Sequence, residues 1–140
     1  MNRKQVLTLT LASGILGLAL SAVLWSAHGQ QAAPTENKGL TVKQLAVVDL
    51  GPEIEGMAGR QLRMRMLTIE PGGIVGIHSH KDRPGTAYVL QGKIINHLGD
   101  GAKEYGVGDT WPENKETMHW LENKGTTPVI LIAADIFKQP

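Results

Sequence analysis

The sequence predicts an all-β domain, a sandwich or a barrel, on three observations. Apolar residues alternate with period two, as in Leu62, Met64 and Met66 against Gln61, Arg63 and Arg65, which predicts a strand burying its Leu and Met face. Clusters of turn-forming residues interrupt the chain at short intervals: Gly51-Pro52, Pro71-Gly72-Gly73, Arg83-Pro84-Gly85, Gly99-Asp100-Gly101 and Gly106-Val107-Gly108-Asp109. Beyond the N-terminal apolar run no stretch carries a helical stripe over three turns, so short strands joined by turns remain.

In chain order, residues 1–4 are short and basic, and residues 5–25 carry no charge and are rich in Leu, Val, Ala and Gly. This reads as an export signal over residues 1–29, with cleavage after Gly29. The alternative is an uncleaved anchor helix, because about 20 apolar residues suffice to span a bilayer. Both readings put the domain outside the cytoplasm, periplasmic or secreted, and the membrane is a partner only in the second. Residues 30–45, opening on the polar QQAAPTENK, are expected to form a flexible linker, and residues 46–140 the folded domain.

The chain has no Cys, which excludes disulfides and a lipid-modified cysteine anchor. It has 14 Lys and Arg against 13 Asp and Glu; Arg3 and Lys4 precede the cleavage point, leaving 12 against 13, a net charge near −1. No basic patch points to nucleic acid.

Four of the five histidines lie beyond the signal. His78 and His80 are two apart in a β-like run, so both imidazoles face one side of a strand and one metal can take both. His119 lies in a second such run, and bringing it to the same face makes a three-His site with open positions, a pattern suited to a catalytic metal.

Residues 71–92, PGGIVGIHSHKDRPGTAYVLQG, resemble the first motif of the cupin superfamily, with Gly72, His78, His80 and Gly92 at its marked positions. Residues 108–123, GDTWPENKETMHWLEN, are similar to the second, through Gly108, His119 and Asn123. The resemblance implies a double-stranded β-helix, or jelly-roll, barrel with one divalent metal in its mouth, held by His78, His80 and His119. It also implies frequent pairing as a homodimer. The metal is Fe, Mn, Cu, Zn or Ni; the motifs do not choose among them.

Two positions depart from the family pattern. The family's fourth ligand is usually a Glu, and by spacing that position is Gly85; Asn114 and Glu116 stand where the second motif carries Pro and Gly. Glu113 is the first candidate to replace the missing carboxylate or to act as general base, against the reading of a turn acid in water. Gln91 shares strand parity with Gly85 and could face inward. Asp82 follows the His pair, and Arg83 pairs either with a ligand carboxylate or with Asp82. His97 is expected to be solvent-facing or hydrogen-bonded. Tyr88, Trp111 and Trp120 are expected in core or rim packing, and Met64 and Met66 in the core.

Three neutral ligands leave a metal's charge uncompensated, which favours an anionic or bidentate oxygen ligand. The sequence therefore supports a metal-binding domain acting on a small oxygen-rich or aromatic anionic molecule. The enzyme reading covers oxygenase-like or isomerase- and lyase-like chemistry. The other reading is a module that binds a metal or small ligand without turnover.

Overall fold

The computed structural model describes residues 32–99 and 101–138, and the signal or anchor expected over residues 1–29 lies outside them. Every regular element among the described residues is a strand: β1 (Lys38–Asp49), β2 (Arg60–Ser79), β3 (Gly85–Gln91), β4 (Lys93–Leu98), β5 (Gly101–Gly106), β6 (Thr110–Glu113), β7 (Met118–Glu122) and β8 (Val129–Lys138). All pairings are antiparallel, in the order β5-β4-β7-β2-β8-β3-β6 with β1 on the side of β2. The result is a nearly closed β-barrel, as the sequence predicts.

Strand β2 makes the barrel. Its first half pairs with β8 as far as Ile69 and with β1, whose Lys38 reaches Ile74, and its second half pairs with β7 from Ile74 onward. The change of partner falls at Pro71-Gly72-Gly73, where Gly72 donates to Asn123 O and Asn123 N donates to Gly73 O. The buried Asn123 amide also donates to Ile69 O and Thr127 O, so this motif residue fastens the corner and touches no ligand site. One core of Ile69, Val75, Ala87, Val89, Ile94, Trp111, Leu121, Val129 and Leu131 fills the interior.

The strand expected over residues 61–66 is present with its faces reversed. Leu62 and Met64 lie outside, 43% and 44% exposed, while Arg63 and Arg65 turn inward. The cause is Asp135 on β8, directly opposite Arg63 and only 2% exposed. Arg63 donates to it in a fork, Nε to Oδ1 at 3.0 Å and Nη2 to Oδ2 at 2.9 Å, and Arg65 Nη2 donates to Oδ2 at 2.8 Å. A buried carboxylate demands such partners. A β-bulge between Val75 and His78 then inserts one extra residue and flips parity, so that the even-numbered His78 and His80 share the inner face with the odd-numbered Val75.

The N-terminal boundary also moves. β1 begins at Lys38, inside the stretch expected to be linker, because Leu40 and Val42 have inward partners and the strand pairs along β2. Even residues before it are fastened: Ile77 N donates to Pro34 O at 2.7 Å, and Gly76 N donates to Asn37 Oδ1 at 2.9 Å. A Cβ at Gly76 would stand 2.5 Å from Thr35 O, so glycine permits this close passage.

Replacing Asp135 with Ala leaves Arg63 and Arg65 partly buried without their anion. Asp135→Ala should lower unfolding free energy by about 3–5 kcal/mol, read from chemical denaturation. A change within about 0.5 kcal/mol, the range of a surface substitution, would show that the network does not hold the barrel.

Candidate metal centre

Three imidazoles converge on the inner wall. His78 on β2 is the direct cross-strand partner of His119 on β7, and His80, one residue past β2, is held by its own N–H donating to Thr117 O. The Nε2 of His119 lies 3.1 Å from the Nε2 of His80 and 3.1 Å from that of His78. Atoms bound about 2.1 Å from one ion sit roughly 3.0 to 3.4 Å apart, so this spacing is that of ligands to a common metal. His80 and His119 are 2% and 1% exposed.

What faces the other ring nitrogens decides the tautomers. His78 Nδ1 donates to Gly76 O at 2.9 Å, His80 Nδ1 to Arg83 O at 3.2 Å, and His119 Nδ1 to Asn96 Oδ1 at 2.9 Å. Each acceptor claims the one proton of a neutral imidazole, which leaves three Nε2 lone pairs pointing at one another. Lone pairs so placed repel unless a cation lies between them. The donor set therefore fits a divalent metal, and His78, His80 and His119 together could hold one.

Burial keeps the rings neutral. Desolvation lowers the pKa of all three, that of His80 to about 4 and that of His119 to about 3; the Arg83 charge pushes each the same way, joined by neighbouring imidazoles at His80 and His119 and by Arg65 at His78. Neutral imidazole is the form that binds metal.

Glu113 stands beside the triad, at the end of β6 and buried. Its Oε2 lies 3.3 Å from His80 Nδ1 and its Oε1 3.7 Å from His119 Nε2, while Trp111 Nε1 donates to Oε1 at 3.1 Å. Burial raises its pKa, and the Trp111 hydrogen bond opposes that rise. Gly85 pairs with Glu113 on one side and Asp135 on the other. A Cβ at Gly85 would sit 2.6 Å from Ala134 O, so the family's usual carboxylate has no room there and two acids flank the position instead.

The remaining candidates fall elsewhere. Gln91 does not face inward: a bulge after Val89 turns it out, and its amide donates to Pro128 O. His97 stacks on Trp120 with ring centroids 3.5 Å apart and lies 3.2 Å from Glu122, on the outside. Trp111 is core, and Tyr88 is exposed. Arg83 Nε lies 3.8 Å from Asp135 Oδ2. Asp135, Arg63, Arg65 and Asn96 escape the sequence reading. Asp135 had a signal, a lone acid sharing parity with Val129, Leu131 and Ala133 in an otherwise apolar run.

Beside the triad opens a cavity of about 330 Å³. Its polar wall includes His78, His80, Arg65, Arg83 and Glu113; its apolar wall includes Leu40, Val42, Leu67, Leu121 and Leu131. Asn37 and Thr35 lie at its edge, so the segment before β1 forms part of the site.

The Cupin_2 family, described as a cupin domain, matches residues 65–135, from Arg65 on β2 to Asp135 on β8. The chain belongs to the cupin family. No curated protein matches the sequence. Among solved structures, a Cupin 2 conserved barrel domain protein from Salinispora arenicola is 15% identical, with 89% of each chain covered and a TM-score of 0.55. KdgF from Halomonas sp. is 18% identical, covering 69% of this chain and 80% of its own, with a TM-score of 0.56. The cupin domain of Schizosaccharomyces pombe Cnp3 is 14% identical with a TM-score of 0.57; 72% of this chain is covered but only 63% of that one. At these identities the likeness is one of fold.

In this cupin Asn96 is buried, and its Nδ2 has no protein partner, so the amide is oriented for His119 and leaves its own donor unmet. Asn96→Ala should weaken metal binding about 10–100-fold in chelator competition. Unchanged affinity would mean that His119 is held without it.

Proposed function

We propose that this cupin binds one divalent ion, Fe, Mn, Cu, Zn or Ni, through His78, His80 and His119, and acts on a small oxygen-rich or aromatic anionic molecule in the adjoining cavity. The observation that carries the reading is the convergence of three Nε2 lone pairs, each turned inward by an acceptor behind its ring. A redox-active ion would supply oxygen chemistry there, and zinc or nickel Lewis-acid chemistry. Glu113 is the proton-transfer residue of the proposal. Burial raises its carboxyl pKa above the ordinary carboxylate value, and it lines the same cavity.

Two further parts of the proposal concern where the protein works. Export rests on the uncharged run over residues 5–25 behind Arg3 and Lys4. Pairing with a second copy is supported by the outer face of β1, β2, β8 and β3, where Val48, Leu62, Met64 and Tyr88 are exposed and apolar beside Lys43, a patch able to meet its own copy around a two-fold axis.

The decisive experiment is elemental analysis of the protein from the exported fraction, beside His78→Ala and His119→Ala. One equivalent of metal in the wild type, lost in both variants, is expected; no metal under any loading condition would overturn the reading. Glu113→Gln should keep the metal and lower turnover of any substrate found by about 10²-fold or more. Turnover at the wild-type rate would remove Glu113 from the chemistry.

A further inference from the structure

The arginines in and behind the cavity wall outnumber the acids they face. Arg63, Arg65 and Arg83 gather around Asp135, with Glu113 as the other acid, so three cations face two anions before any metal is counted. Asp135 is largely committed: the Arg63 fork takes both its oxygens. Arg65 reaches it through Nη2 alone, and its Nε is buried with no partner. Arg83 comes no closer than 3.8 Å with Nε. Arg65 and Arg83 line the cavity; Arg63 does not. Next to Arg65 the wall turns to hydrocarbon: Leu67 follows it by two residues on β2 and pairs with Val42 on β1 and Leu131 on β8, with Leu40 beyond.

We infer that Arg65 and Arg83 form the anion-binding end of this cavity, and that its ligand is an amphipathic organic acid. The carboxylate meets the two guanidinium groups beside the triad, and the apolar body lies along β1 and β2. The inference rests on reading the cavity as the ligand site of the metal centre, and it adds the chemical class and the two residues that select it. A planar carboxylate suits the forked donors of arginine, and Arg65 spends only one nitrogen, Nη2, on Asp135. Acetate would satisfy the charge but leave the apolar wall wet; an amide of the same shape would fill the wall but bring no charge.

The test is calorimetric titration of the metal-loaded protein with phenylacetate, hexanoate, phenylacetamide and acetate. Both long acids should bind, with phenylacetamide and acetate weaker by about tenfold or more. Arg65→Gln and Arg83→Gln should each lose about tenfold for phenylacetate, leave phenylacetamide unchanged, and retain full metal content, which also reports an intact fold. Arg65→Lys, which keeps the charge but not the fork, should fall between. Equal binding of phenylacetate and phenylacetamide, wild-type phenylacetate affinity in both glutamine variants, or no binding of either long acid would overturn the inference while metal content stays intact. Failure of the metal reading has a different signature, absence of metal in the wild type, and acid binding dependent on Arg65 would then persist without it.

Discussion

The buried carboxylate of Asp135 is the constraint on which the rest of the barrel depends. An ionised acid in an apolar interior is tolerated only with matched donors, and the donors available are the guanidinium groups of the strand beside it. That requirement turns Arg63 and Arg65 inward and therefore sends Leu62 and Met64 to the surface. It sets which face of β2 enters the bulge after Val75, and so which face of the strand presents His78 and His80. The outer apolar face and the inner cationic wall are two sides of one choice of register.

Around the triad the fold supplies acceptors rather than charges. Gly76 O, Arg83 O and Asn96 Oδ1 each hold one imidazole N–H, two from backbone bends and one from a buried amide on β4. Carboxylates stand close by, but Glu113 enters from β6 rather than from the family position at Gly85, which is closed by Ala134 O. An acid on a neighbouring strand keeps a carboxyl near the triad while leaving room for a cavity with a hydrocarbon side. Neutral imidazoles and two guanidinium groups line that cavity, with Glu113 as the acid among them.

Much of the candidate site was legible because its signals are local or motif-like. The His-x-His pair announces a shared strand face, the spacing to His119 matches a family motif, and Glu113 stands out as an acid near that motif. Other parts were not local. The inward turn of Arg63 and Arg65 depends on Asp135, some 70 residues further along, and alternation alone says only that a strand has two faces. Gln91 misses the interior because of a bulge with no residue signature of its own. The stretch before Lys38 has loop composition, yet two hydrogen bonds to the Gly76–Ile77 backbone make it a wall of the cavity.

By itself the sequence determined the all-β class, the turns, the three imidazoles and the likeness to the cupin barrel, because period two, Gly and Pro clusters and the His spacing act within a few residues. Tertiary structure alone decided which face of β2 is inner, which nitrogen of each histidine is free, and how the charge of three arginines is shared. Those outcomes follow from electrostatic and hydrogen-bond demands between strands far apart in the chain, met only once register, bulges and burial are set together.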